Sequence, residues 1–394
     1  MSDTVLILGA GFSRAAGIPL LGDFVDRMWE LSIRGRAAKP LEDGDKQLFA
    51  EAMRIREELD GYHGRAAFSD RNIEDLLSIL SFNVIGGGKK DRDKLETMSA
   101  AIARTIELTC TVRHPGINFL RSSVVDDGPD IYRQFWKALF DVRTHGKQLP
   151  TIITFNYDLV LERSLLQVLI GTHFGASRPL PFQRVQVDYS YSALQCTAYD
   201  VSYTTFLSDR AQTEGTILVP PTASGARSVQ SIELLKLHGS LNFPRKAVGS
   251  PTEHQDLTLT SPVPKPYLLP PISNKASGNS TSRMWRTAIE RIRSTKNIVI
   301  VGYSLPATDT YMQYFLKAGV GPNRDLNRIV VFDPVLYSGS ESCEAMKKRY
   351  AGCFAPQFRE RINFEPSTRS GHILPGTADA FVNILTNEPE TLLF

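Results

Sequence analysis

A chain of 394 residues with 42% hydrophobic content is long enough for one large or two medium globular domains and apolar enough to bury a core. Its 45 Lys and Arg against 42 Asp and Glu leave a formal charge of +3, so charge alone gives no ground for nucleic-acid binding. Cys110, Cys196, Cys343 and Cys353 form no C-x-x-C pair, so the sequence supports neither a disulfide framework nor a zinc module, and no metal is expected. The N-terminal residues contain no basic leader, and no apolar run approaches the roughly 18 residues of a membrane span; the expectation is a cytoplasmic protein.

The first element is TVLIL, Thr4 to Leu8, a β-branched and leucine run that reads as a buried strand and meets the turn Gly9-Ala10-Gly11. A helix opening within Phe12 to Ala16 would direct its amides and its positive dipole end across that turn, a setting suited to a pyrophosphate. The dinucleotide fingerprint requires a third glycine where Arg14 stands, and Gly17 comes too late, so an ordinary tight turn also fits. About 130 residues with helical periodicity follow, far more than a crossover connection needs. Within them Asn72 is placed to cap NIEDLLSIL, with Ile73, Leu76, Leu77 and Leu80 on one face, and Ile131, Phe135 and Leu139 repeat the pattern. IGGGKKDRDK, from Ile85, reads as an exposed loop.

TIITF, from Thr151, is the second strand, and it ends in Asn156 and Asp158, whose side chains share a direction if the backbone stays extended. The segment 171–230 reads as a β-rich flap. Its Tyr189, Tyr191, Tyr199 and Tyr203 suit an aromatic core face better than a ligand wall. ELLKL, from Glu233, leads to His238, a candidate for proton transfer near neutral pH, and to Gly239, which would let a ligand or another loop come close. Val248 to Ser282 reads as a long loop near the site. The next helix sets Trp285, Ile289 and Ile292 against a solvated face of Arg283, Arg286 and Arg293. NIVIV, from Asn297, ends in Gly302 and Ser304, and RIVVF, from Arg328, ends in Asp333.

Five short runs, apolar on both faces and separated by helical segments, predict an α/β fold: a Rossmann-like parallel sheet with helices on both faces. The expected organisation is a single domain whose sheet comes from 1–20, 149–170, 231–245 and 296–394. A helical subdomain is inserted at 21–148 and the flap at 171–230.

The order of strand-end motifs resembles the sirtuin superfamily. Gly9, Ala10, Gly11 and Ser13 with Gly17-Ile18-Pro19 match its first motif, Asn156 with Asp158 its second, His238-Gly239 its third, and Gly302 with Ser304 its fourth. Asp333 falls where the family holds the adenosine end of NAD. The departures are Phe155 in place of a glutamine, LLGDF from Leu20 in place of a Phe-Arg loop, and no cysteine between His238 and Cys343, so the zinc module of the protein deacylases is missing. With its large helical insertion and NIEDLLS, the chain looks more like the bacterial sirtuin-like proteins of antiphage defence, which hydrolyse NAD to nicotinamide and ADP-ribose.

That resemblance implies NAD as the substrate. It also implies a neighbouring ATPase as a partner; because an activity that empties the NAD pool cannot run freely, a homo-oligomer regulated by assembly or by a partner is expected, with the insertions as the contacts. Breaking the nicotinamide glycosidic bond builds positive charge on the ribose, so the site must orient the ribose and supply a nucleophile. Asn156 is expected to hold the water and ribose hydroxyls, His238 to act as base, Asp158 to orient the nicotinamide end, and Ser13 with the turn Gly9 to Gly11 to take the pyrophosphate. Two other readings are a non-catalytic NAD or ADP-ribose sensor and an NAD-dependent deacylase.

Overall fold

The computed structural model describes residues 3–34, 37, 39–61, 72–113, 116–118, 123–125, 128–144, 148–173, 184–191, 198–201, 229–244, 259–269, 281–306, 309–364, 366 and 374–393. Its centre is built from the mainly apolar runs of the sequence. Strands β1 (Thr4–Leu8) and β4 (Thr151–Thr154) are buried at every position, as is the later strand Asn297–Val301. Such strands can only lie inside a sheet covered on both faces. Each fully buried Leu, Ile or Val there contributes on the order of 2 kcal/mol.

The remaining strands, in chain order, are β2 (Gly116–Asn118), β3 (Ser123–Val125), β5 (Arg184–Asp188), β6 (Ala198–Val201), β7 (Val229–Lys236), β8 (Gly239–Pro244), β9 (Pro266–Leu268), β10 (Asn297–Val301), β11 (Arg328–Phe332) and β12 (Ile362–Asn363). Eight strands form one sheet in the order β12-β11-β10-β1-β4-β7-β5-β6. Seven run parallel, and β6 returns antiparallel on β5. The sheet is therefore the expected parallel α/β architecture, longer by the short edge β12 and by β5 and β6. Those last two come from the tyrosine-rich segment and extend the sheet. Tyr189 and Tyr191, just after β5, are buried, and Tyr191 stacks on Phe243 at 4.2 Å. Both therefore serve the core, while the side chains of Tyr199 and Tyr203 lie outside the described residues.

Chain order reverses at the β1–β10 boundary: the chain steps from β1 to β4 on one side and from β10 to β11 on the other. In open α/β sheets the crevice at the carboxyl ends of such a pair is where ligands bind. The register levels those ends, pairing Phe332 with Val301, Val301 with Leu8, Leu8 with Thr154 and Thr154 with Lys236. The residues just beyond them, including Gly9, Phe155 and Gly302, form one rim.

Between β1 and β4 lie α1 (Ala10–Ser13), α2 (Phe24–Arg34), α3 (Asp45–Asp60), α4 (Ile73–Gly86), α5 (Lys89–Thr109) and α6 (Ile131–Thr144). Helices α2 to α5 pack on one another, whereas α6 packs on α7 (Val160–His173) and on the helix Ala378–Asn387. Asn72 caps α4 as expected, its side chain accepting from the Glu74 amide at 2.9 Å. The run from Ile85 is not a loop. Helix α4 continues through Gly86, only Gly87 and Gly88 intervene, and KKDRDK forms the first turns of α5, where Lys94 pairs with Glu58 of α3. The charges occupy the exposed side of an amphipathic helix, and a partner on α3 overrides the loop-like composition.

The end of α5 is fastened by buried charge. Glu107 takes both oxygens' worth of hydrogen bonds from Arg163 of α7, at 2.8 and 2.7 Å, and pairs with Lys39 as well. Arg163 also donates to the carbonyls of Thr260 at 2.9 Å and Val112 at 3.1 Å. Burial pushes the Glu107 carboxyl up, but Arg163 and Lys39 outweigh it and hold the group below the usual carboxylate range. Its contribution is therefore present above the unfolded carboxyl's titration and is lost as pH falls through the lowered folded value. Arg163→Met should cost about 3 kcal/mol at pH 7, because Glu107 keeps only Lys39, and the deficit should shrink toward pH 4 as Glu107 protonates. Thermal melts of both proteins across that range check this, and a pH-independent deficit would contradict it.

Candidate active site

A cleft of about 130 Å³ opens above the β1–β10 boundary. Its floor is the strand-end rim, and its opposite wall comes from α2, α4 and α5. Of the residues singled out from sequence, Ala10, Ser13, Asn156, Asp158, His238, Gly302 and Ser304 all line it. Gly9 and Gly11 lie directly beneath, in the same turn.

The glycines make a close backbone contact within the protein. Gly9 N donates to Val301 O at 2.9 Å, Gly11 N to Gly302 O at 2.9 Å, and Phe12 N to Gly9 O at 3.0 Å, so three amides of the turn are committed to protein carbonyls. A Cβ on Gly9 would sit 2.5 Å from Gly302 O, one on Gly11 2.8 Å from Gly302 Cα, and one on Gly302 2.4 Å from Phe12 N. The loops after β1 and β10 thus interlock backbone to backbone. The helix also begins earlier than expected, at Ala10, and passes into a 3-10 turn at Arg14–Ala16.

Asn156 leaves β4 with its side chain fixed. Its Nδ2 donates to Gly9 O at 2.9 Å and to Ser13 Oγ at 3.0 Å, while its backbone N donates to Thr154 Oγ1 at 3.1 Å. The β1 turn and the β4 end are therefore one hydrogen-bonded unit, with Oδ1 of Asn156 left as the acceptor for a ligand. Asp158 caps α7, its Oδ1 accepting from Val160 N at 3.0 Å.

His238 occupies the tight turn between β7 and β8. The following Gly239 has φ +88, and a Cβ there would lie 2.0 Å from Tyr267 O, so the close approach is made by strand β9. His238 is 5% exposed and is flanked by the rings of Phe155 at 4.9 Å and Tyr157 at 6.2 Å. Its carbonyl accepts from Leu269 N at 2.8 Å, and Tyr157 Oη donates to Leu269 O at 2.6 Å. The stretch 259–269 thus lies beside the site, while the rest of the long loop falls outside the described residues.

Four contributions went unread in the sequence. Tyr303 lines the cleft, packs on Phe155 at 5.1 Å, and donates its hydroxyl to Asp309; burial first, then Asp309, push its phenol well above the ordinary value, so it stays a donor. Asp309, also lining, caps the helix Thr310–Val320 through Met312 N at 3.0 Å. Glu74 enters the wall from α4. Behind the site, buried Lys236 pairs with Glu162 at 2.8 Å and donates to the carbonyl of Asp158, holding the Asn156–Asp158 turn against β7. Its signal was a lysine between the leucines Leu235 and Leu237 at the buried end of a strand.

Asp333 stands apart. It is not among the cleft-lining residues; its Oδ1 accepts from Val335 N at 3.0 Å and caps the 3-10 turn Pro334–Tyr337, and burial raises its carboxyl.

With this geometry in view, solved structures of Sir2 enzymes align along the chain. One, from work on the mechanism and regulation of Sir2 enzymes, shares 13% identity over 99% of this chain and 94% of that one, at a TM-score of 0.32. A Sir2 homologue in complex with NAD shares 14% identity over 89% and 88%, at 0.29. A Sir2 homologue mutant in complex with ADP-ribose shares 13% over 89% and 91%, at 0.29. At these scores the likeness carries no weight for activity, and the fold class rests on the sheet itself. No family model matches the chain, and no curated protein matches it. Among the described residues there is no group of metal-ligating side chains, and no helix is long and apolar enough to cross a membrane.

Gly302→Ala tests the interlock. It combines φ +63 with a backbone clash, whereas Gly339→Ala has φ +62 with nothing within 4 Å of the added Cβ. The second should cost about 1 kcal/mol and the first clearly more, of order 3 kcal/mol. Equal losses in thermal melting would show that the packed loops do not carry stability.

Proposed function

We propose that this chain hydrolyses NAD to nicotinamide and ADP-ribose. The observation that carries the reading is the meeting of Asn156, Ser13, Asp158 and His238 in one cleft at the point where the sheet reverses order. Asn156 Oδ1, oriented by its bonds to Gly9 and Ser13, would hold a water or the ribose hydroxyls. Ser13, Ala10 and Ser304 offer the polar edge for the pyrophosphate, with Gly9, Gly11 and Gly302 shaping it. Asp158 would orient the nicotinamide end.

The chemistry asks little of an acid. As the bond from ribose C1′ to the pyridinium nitrogen breaks, its electron pair neutralises the ring, and nicotinamide leaves uncharged. Water oxygen bonds to C1′, and its proton passes to His238, which returns it to solvent. The aromatic rings of Phe155 and Tyr157 hold the imidazole in place and limit competing water. Asp333, as a helix cap outside the cleft, is not needed for this reading; an adenosine contact there remains an implication of the sirtuin resemblance.

An enzyme that consumes NAD is toxic to its cell. In keeping with the resemblance to antiphage-defence proteins, we place it as an effector held at a low basal rate in the cytoplasm and released by homo-oligomerisation or by a partner such as an ATPase. Trp29 and Ile33, one turn apart on α2, and Phe82 and Ile85 near the end of α4 are large exposed apolar side chains on the helical insertion, suited to such contacts.

Purified protein incubated with NAD should release nicotinamide and ADP-ribose without any acylated peptide. Asn156→Ala and His238→Ala should each reduce NAD loss by about 10²- to 10⁴-fold with melting unchanged for His238→Ala. Full turnover in both variants would overturn the site, and NAD retained without cleavage would make the chain a sensor. Specific activity measured over a range of protein concentrations should rise with assembly, and a monomer of constant activity would remove the regulatory part.

A further inference from the structure

Among the described residues, the cleft is lined by the acidic side chains of Glu74, Asp158 and Asp309 and by no lysine or arginine. The turn beneath it offers a phosphate little in their place, because the amides of Gly9, Gly11 and Phe12 already donate to protein carbonyls. A diphosphate carries negative charge, and bringing it to such a rim without a cation costs free energy. A cation stands one residue past the lining. Arg14 follows Ser13 and occupies the position at which the dinucleotide fingerprint has its third glycine.

Helical backbone runs on from Ala10 through Arg14, where φ is −59 and ψ is −41. Residues four apart share a face of a helix, and a long helical side chain leans toward the preceding turn, so Arg14 is carried toward Ala10, which lines the cleft. Phe12 faces the other way, against Tyr132, Phe135 and Phe381 in the core. Arg14 is exposed, and among the described residues its guanidinium makes no hydrogen bond or ion pair. Arg349, which also reaches this rim, is committed to the protein: its Nε donates to Leu305 O at 2.8 Å and its Nη2 to Ser304 O at 3.2 Å.

We propose that Arg14 is the phosphate-binding residue of the site, its guanidinium closing over the mouth of the cleft to hold the diphosphate of the bound dinucleotide in a forked pair of hydrogen bonds. This rests on the NAD reading of the cleft. It supplies from a side chain the positive charge that the committed turn amides do not.

The test measures equilibrium binding of ADP-ribose to the full-length chain at low and at high salt, beside thermal melts. Arg14→Gln should weaken binding about tenfold at low salt, and the gap from the native protein should narrow at high salt, where the charge is screened. Arg14→Lys, which keeps the charge and loses only the fork, should retain most of the affinity. Because the three acidic side chains are the same in every variant, the difference between glutamine and lysine isolates the charge at this one position. Both variants should melt with the native protein, since Arg14 has no described bond to lose. Binding by Arg14→Gln as tight as native, or an equal and salt-insensitive loss in both variants, overturns the role of Arg14 and leaves NAD as the ligand. So does a glutamine variant that melts well below the native protein, or NAD cleavage without measurable ADP-ribose binding. A native chain that neither binds ADP-ribose nor cleaves NAD removes the NAD reading, and this inference with it.

Discussion

The contact on which the site depends is between two backbones. The loops leaving β1 and β10 touch through Gly9, Gly11 and Gly302 at distances that leave no room for a Cβ, and two amide hydrogen bonds close the junction. Because parallel neighbours end level, this junction puts the turn after β1 and the Gly302–Ser304 loop on one rim. The bonds from Asn156 to Gly9 and Ser13 then tie the end of β4 to the same rim. A small side chain anywhere in the junction would separate loops that the candidate chemistry needs within one ligand's length.

Much of this was legible in the sequence, because buried parallel strands leave continuous apolar runs and end where the run ends. TVLIL, TIITF, NIVIV and RIVVF marked the sheet, and the polar residues after them marked the rim. Glycine was legible as a requirement but not as a purpose. Gly-Ala-Gly suggested a ligand's approach and His-Gly the approach of a ligand or another loop; in the fold Gly9 and Gly11 make room for the Gly302 loop and Gly239 for Tyr267. A sequence shows that a Cβ is excluded without showing what excludes it.

What could not be read was set by long-range partners. KKDRDK has a loop's composition, but Lys94 finds Glu58 on a helix more than thirty positions away, and the run becomes helix. Asp309 and Asp333 look alike, each beyond the end of a strand, yet one lines the cleft and receives the Tyr303 hydroxyl while the other caps a 3-10 turn. Lys236 reads as an interruption in a strand until Glu162 and the Asp158 carbonyl appear beside it. In each case the sequence holds half of a pair whose other half is supplied by the fold.

The insertion and the β1 turn are joined more firmly than a lid would be to the site it covers. Thr111, just past α5, donates its amide to Ala16 O at 2.8 Å. Tyr132 of α6 donates to Phe12 O and accepts from Ala16 N, both at 3.0 Å. Gly17, at φ +82, lies where a Cβ would meet Thr109 O at 2.7 Å. The clamp of Glu107 by Arg163 fastens the same end of α5 to α7, whose first turn is capped by Asp158. A shift of α5 must therefore either break these bonds or move the Ser13 turn and the α7 start with it. Since Ser13 receives the Asn156 amide, a contact made on the outer helices has a short covalent and hydrogen-bonded route to the side chain at the centre of the cleft.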